Sequence, residues 1–344
     1  MGLKGGIVWE LVTVWIIGQL GGVYSLGNVS PMFSTNDGSS SMFSTNDGSS
    51  PMSSVTLSYH NGPLLTGTLK VHIILYGLFS TSQKSIINGF LDSLNTSGIP
   101  RSMPSVRDTW WNIIASNYAD KRNASVPKSI QRGIQHFDHR SSRGTSLSRA
   151  DIRSYVLSKL KSKHLPWPTT GVDKRLYILL TGHNVVVERF CRSSCGYHDF
   201  VPSSKATKYR SIPFAWVGNP RFQCPGACAW PFAIPEIGPP GPPLRPPNGD
   251  VGIDGMIINL ASVLAGAATN PFGTGYYQGD PTLPLEAATT CAGAFGPNSY
   301  PGYPGRLLRD NTTKASFNTY GARGRKFLLP ALWNPHKHAC TTPL

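Results

Sequence analysis

The sequence predicts an α/β or α+β fold: one disulfide-stabilised domain over residues 55–344, with a mixed sheet and packed helices. Three observations predict it. Strand-like and helix-like segments alternate along the chain, which argues against an all-β sandwich. Residues 254–269 form a helical pattern with almost no charged face, so a core must surround them. All six cysteines, Cys191, Cys195, Cys224, Cys228, Cys291 and Cys340, lie in the C-terminal half.

The residues before this domain are of another kind. Lys4, an apolar run over residues 7–20 broken by Glu10, and Val23-Tyr24-Ser25 read as a signal peptide over residues 1–25. The run is too short to span a bilayer, and no later segment is expected to span one. Residues 26–54 carry the near-identical decapeptides PMFSTNDGSS and SMFSTNDGSS, a composition that suits a flexible tether.

Within the domain, LKVHIILY at residues 69–76 reads as a buried strand. A helix over residues 80–94 follows, with Ser82 as N-cap and Ile86, Ile87, Phe90, Leu91 and Leu94 on its apolar face. A second helix covers residues 106–118. Its Trp110-Trp111 pair offers core packing, with sugar stacking as the alternative for one of the two. Ser148 and Asp151 cap a third helix running to about residue 161. Residues 176–180, 184–190 and 212–217 are strand candidates. Residues 231–247, dense in proline, form a stiff surface excursion of polyproline character.

The helix at residues 254–269 also carries a small, polar stripe: Asn259, Ser262, Gly266 and Thr269 share one face. That face holds no His, Asp, Glu or Cys. Close packing against another element explains such a stripe; an active-site face that has lost its ligands is the second explanation.

The cysteines suit an oxidising compartment, where three disulfides are expected in pairings that spacing alone leaves open. No His stands at finger-like spacing from them, so a zinc site is not expected. Sequons at Asn28, Asn95, Asn123 and Asn311 agree with secretion. The net charge is +15, and residues 121–163 hold eleven Lys or Arg against Asp138 and Asp151. With a leader present, the expected polyanion is an acidic polysaccharide or an anionic surface and not a nucleic acid, with a solvated, solubilising face as the alternative; an extracellular receptor is the other expected class of partner.

Longer motifs carry a resemblance. Tyr59-His60-Asn61-Gly62-Pro63-Leu64, Trp216-Val217-Gly218-Asn219, Cys224-Pro225-Gly226, Pro247-Asn248-Gly249-Asp250-Val251-Gly252, Asn270-Pro271-Phe272-Gly273 and Gly324-Arg325-Lys326-Phe327 resemble the plant phosphate-induced protein 1 family, the EXORDIUM-like proteins. The likeness covers roughly four-fifths of the chain. It implies an apoplastic protein acting in cell expansion and growth, linked to brassinosteroid response and carbon status. It supplies no catalytic residues and no cofactor. Leu75 and Gly89 depart from the family pattern, where Trp and Asp are expected.

A more distant resemblance is to secreted microbial metallopeptidases with a helix of the form S-H-E-L-x-E-A-x-T-D-P and an upstream F-C-G-Y-H. Here Ser262 stands for the ligand His, Val263 for the catalytic Glu and Gly266 for the second acid. This implies a degenerate zincin-like scaffold with an emptied face at Asn259, Ser262, Val263 and Gly266. The expectation is therefore a non-catalytic protein with no metal. A secreted hydrolase is the alternative, with His183, His198, Asp250, Asp254 and Glu286 as its available polar residues. Asp250 and Asp254 also suit a helix start, where carboxylates oppose the dipole.

Overall fold

A computed structural model of the protein describes residues 55–169 and 173–344. The leader, the repeat-bearing segment and the Asn28 sequon lie outside the described residues. In chain order the elements are β1 (Ser58–Tyr59), β2 (Thr68–Tyr76), α1 (Thr81–Ser93), a π-helical stretch (Val106–Trp111) that runs into α2 (Asn112–Asn117), β3 (Ile130–Asp138) and β4 (Ser146–Leu147). There follow α3 (Arg149–Lys161), β5 (Asp173–Thr181), β6 (Val186–Val187), β7 (Gly196–Val201), β8 (Ile212–Gly218), α4 (Pro225–Cys228), α5 (Val251–Thr269) and β9 (Tyr276–Tyr277).

Five strands form one mixed sheet in the order β3-β2-β5-β8-β7. The first four are parallel and β7 runs antiparallel to β8 at the edge. A parallel sheet needs both faces covered, which is why β2 reads as a continuous apolar run. The period of two in β5 divides its side chains between the layers. Leu176, Ile178 and Leu180 join α1, α2 and α5 on one face. Tyr177 and Leu179 join Ile152, Tyr155, Val156 and Leu160 of α3 on the other.

Several sequence expectations need correction. Ser80, not Ser82, caps α1: its hydroxyl accepts from the Gln83 amide while the Gln83 side chain accepts from the Ser80 amide. This capping box predicts that Ser80→Ala lowers stability by about 1 kcal/mol in denaturant titration; an unchanged midpoint would assign the helix start to packing alone. Neither Trp110 nor Trp111 is available to a sugar. Both are fully buried, and their indoles donate to the Pro330 and Pro127 carbonyls at 2.8 Å. The strand expected over residues 184–190 shrinks to β6, which pairs with β4.

Two edge strands escaped the sequence pattern. β3 (IQRGIQHFD) is buried only at its two ends and exposed or half-buried between them, so it lacks an apolar signature. β7 (GYHDFV) is half-buried on both sides and mixes residue types. Gly133 of β3 lies against the His72 ring, where a Cβ would stand 2.6 Å from two ring atoms.

The cysteines pair as Cys191–Cys224, Cys195–Cys228 and Cys291–Cys340. The first two tie the approach to β7 onto α4. The α5 helix starts earlier than residue 254, because Asp250 caps it by accepting from the Ile253 amide at 3.1 Å. Contrary to the sequence reading, α5 is long and apolar enough to match a membrane span. It is largely enclosed in the core, the other place where a helix can be apolar all round.

Candidate functional site

The polar stripe of α5 faces α4, β7 and the loop beyond β9. Close packing accounts for its first part. Asn259 Nδ2 donates to the Cys228 carbonyl at 2.8 Å, and the Gly255 beside it leaves no room for a Cβ against Ala229, 2.6 Å away. Ser262 returns its hydroxyl to the Ile258 carbonyl at 3.1 Å and Thr269 to Ala265 at 2.9 Å. Val263 packs against Gly196 of β7.

Gly266 is different: α5 itself puts no ionisable group on this face, but two reach it from other elements. His198 from β7 and Glu286 from the loop meet over this glycine, with His198 Nε2 2.8 Å from Glu286 Oε2 and 3.0 Å from Oε1. Asn270, the C-cap of α5, donates from Nδ2 to Glu286 Oε1 at 2.7 Å and accepts the Gly275 amide on Oδ1. The side chains of His198 and Glu286 are 14% and 9% exposed. A Cβ at residue 266 would stand 2.6 Å from Glu286 Oε2 and 2.9 Å from His198 Nε2. The microbial pattern has an acidic side chain at this helical position. Here the carboxylate arrives from residue 286, and glycine makes room for it.

Burial disfavours an imidazolium at His198, but the Glu286 carboxylate and its hydrogen bond more than offset that and hold the His198 pKa above its ordinary value. A His–Glu pair can move a proton. Zinc needs three or four protein ligands, and this face supplies two donor side chains that are already bonded to each other. Ser262 and Val263 add no charged ligand. Among the described residues, no group of three or more His, Cys, Asp and Glu side chains is placed to hold a metal ion.

The other polar candidates gather elsewhere. Asp250 sits at the N-cap of α5, about 24 Å along the helix from Gly266, and accepts from Gln83 Nε2 at 2.9 Å. Asp254, one turn on, accepts from the backbone and side chain of Asn248 at 2.9 and 2.7 Å. Burial pushes its carboxyl up to about 7 despite those donors. His183 lies past the end of β5, with its ring edge on Phe222 at 5.1 Å. His198 and Glu286 are thus joined with each other and not with His183, Asp250 or Asp254. Glu286 stood out in the sequence as a lone acid in a long apolar stretch; its partner was not legible, since 88 residues separate the two.

The basic segment at residues 121–163 is largely built into β3, β4 and α3. Part of its charge is neutralised: Arg122 pairs with Asp120 at 3.5 Å, Arg132 with Asp92 at 2.6 Å and Arg153 with Asp199 at 2.6 Å. The sequon residues Asn95, Asn123 and Asn311 are all exposed. Gly89, one of the departures from the family pattern, lies beneath Arg325: a Cβ there would stand 2.3 Å from Arg325 Cδ. The guanidinium continues to Ser85 and Asn248 at 2.8 and 3.1 Å.

Comparison with known proteins identifies the family. The family model described as the phosphate-induced protein 1 conserved region matches residues 57–343. The chain is 47% identical over 295 residues to Protein EXORDIUM of Arabidopsis thaliana, covering 83% of this chain and 88% of that one. It is 42% identical over 294 residues to Protein EXORDIUM-like 2 of the same plant, covering 84% and 90%. It is 45% identical over 291 residues to Protein PHOSPHATE-INDUCED 1 of Nicotiana tabacum, covering 83% and 88%. No solved structure matches. With the family model spanning nearly all of the described domain, the chain belongs to the phosphate-induced protein 1 family, which includes EXORDIUM and the EXORDIUM-like proteins.

Proposed function

We propose that this is a secreted, non-catalytic protein of the plant apoplast that promotes cell expansion by binding acidic wall polysaccharide. Links to brassinosteroid response and carbon status come with the family resemblance. The observation that carries the reading is the cation surplus, 32 Lys and Arg against 17 Asp and Glu. The chain has fewer acids than cations by fifteen, so acidic side chains of its own cannot neutralise them all. A polyanion supplies the missing countercharge, and a wall is built partly of such polymers. Three disulfides, a leader and exposed sequons support an extracellular setting. The filled face at Gly266 supports a non-catalytic role, because the hydroxyls on either side of it in the helix, Ser262 and Thr269, are both bonded to carbonyls of their own helix. An extracellular receptor is the other partner class, and a basic surface would serve that contact too.

The test is retention. The mature protein should bind de-esterified pectin at low ionic strength, elute as the Debye length shrinks to about 3 Å near 1 M salt, and pass through a neutral glucan column. Equal retention on the neutral glucan would reject charge as the basis of binding.

One observation favours a second reading, a secreted hydrolase derived from a zincin-like peptidase: the His198–Glu286 pair could transfer protons. Peptide or glycan turnover that His198→Ala abolishes in a folded protein would establish it. Zinc bound in stoichiometric amount would point the same way.

A further inference from the structure

Resting on the reading that this protein binds an acidic wall polymer, we propose that the binding site is a cleft between the proline-rich excursion and the hairpin that follows Leu307, and that it takes uronic-acid residues of an oligosaccharide. The cleft is open to solvent, has a volume of about 510 Å³ and is lined by Pro243, Leu244, Arg245, Arg309, Lys314 and Ser316. Its volume lies within the range of small-ligand sites.

Three cations converge on it. Arg245, Arg309 and Lys314 are exposed, and among the described residues none of the three stands in an ion pair. The contrast with a second cavity of about 430 Å³ is direct. That cavity is lined by Asp92, Asn95, Thr96, Gln131 and Arg132, and there Asp92 neutralises Arg132 and Arg323 at 2.6 and 3.1 Å. The first cleft concentrates positive charge; the second balances it.

The cations are held in place, not left to wander. The hairpin pairs Leu308 and Arg309 with Phe317 and Ser316. Arg245 donates from Nη1 to the Thr313 carbonyl at 2.6 Å, and the Ser316 amide donates back to the Arg245 carbonyl at 3.0 Å, which clamps the proline segment to the hairpin. Lys314 Nζ reaches the Asn311 carbonyl at 2.6 Å. The one acid in the loop, Asp310, is committed elsewhere. It is bonded to Lys326 and accepts the Thr312 and Thr313 amides, and the Lys326 contact first of all keeps its carboxyl well below the usual range.

The chemistry selects the ligand. Arginine forks match carboxylates, and lysine adds a point charge. A polyuronate carries one carboxylate on each ring, so neighbouring rings can meet neighbouring cations. Pro243 and Leu244 give the wall an apolar strip that suits the C–H face of a sugar ring. Inorganic phosphate offers charge without a ring, and so does not use that strip.

The experiment is calorimetric titration of the secreted, mature protein with trigalacturonate, run beside column retention on de-esterified pectin. Variants are Arg309→Gln/Lys314→Gln and, as a charge-matched control outside both the cleft and the basic segment, Arg192→Gln/Lys205→Gln, two exposed cations that flank β7. Equal melting temperatures establish that both are folded. The cleft variant should lose about tenfold or more in affinity, the size of one charge-assisted hydrogen bond, while the control stays near wild type. Fully methyl-esterified trigalacturonate should not bind, and inorganic phosphate at equal concentration should not displace the acid form. Equal losses in both variants, or no loss in either, would overturn the cleft while pectin retention by the wild type keeps the broader reading. Displacement by phosphate as effective as by the sugar would overturn the uronate assignment. If the wild type binds neither trigalacturonate nor pectin, the polymer-binding function itself falls.

Discussion

Glu286→Ala is expected to destabilise the domain by about 3–5 kcal/mol, because it removes the acceptor shared by two buried donors and opens a cavity between them. The loss has three parts. His198 Nε2 loses a carboxylate at 2.8 Å, Asn270 Nδ2 loses its acceptor, and the space over Gly266 becomes a void. In thermal unfolding this corresponds to a fall of roughly 6–10 °C for a domain of this size. Glu286→Gln keeps an acceptor for Asn270 and the volume, so a smaller drop of about 1–2 kcal/mol is expected. In both variants the imidazole pKa of His198, followed by NMR titration, should move down, since the raising influence comes from Glu286. A melting temperature for Glu286→Ala within experimental error of wild type would show that the cluster is ornamental to the fold.

The second large effect is pH dependence. Asp254 has its carboxyl raised to about 7 by burial, against 3.8 in the unfolded chain. Between those values the folded state keeps a proton that the unfolded state has lost, so stability declines as pH rises, by about 4 kcal/mol over the whole window. His72 acts oppositely. Burial, with Arg175 and Lys70 nearby, holds it down at about 4 against 6.5 unfolded, so stability declines by about 3 kcal/mol as pH falls through that window. The two nearly cancel between pH 4 and 6.5. Above 6.5 the His72 gain is complete, while the last of the Asp254 loss continues to pH 7. The raised His198 adds a further loss as pH climbs through its folded value. The urea midpoint is therefore expected to be level from about pH 4.5 to 6.5 and to fall above it. Asp254→Asn should flatten part of that fall. A midpoint that rises between pH 6.5 and 8.5 would contradict this ordering of the buried groups.

Much of the architecture was legible because it depends on local pattern. The apolar run of β2, the period of α1 and the Ser148–Asp151 box are short-range signals, and all three correspond to real elements. What failed was equally physical. β3 is exposed on an edge, and β7 mixes apolar and polar residues on half-buried faces, so neither shows the alternation that marks a strand. Ser82 looked like a cap because it precedes the apolar face, yet Ser80 has the extended backbone and the partner Gln83 that a cap requires.

At the candidate site the division is sharper. Composition and order along the chain settled the family motifs, the even set of cysteines, the basic excess and the absence of ligand side chains on the small polar stripe of α5, since each of these is a property of residues close together or of totals. Tertiary structure alone decided that His198 and Glu286 meet over Gly266, which cysteines pair, and that Arg245, Arg309 and Lys314 face one cleft. Those are contacts across tens of residues, chosen by the packing of layers and not by any neighbour in sequence. A glycine says only that something must come close; what comes close is set by the rest of the fold.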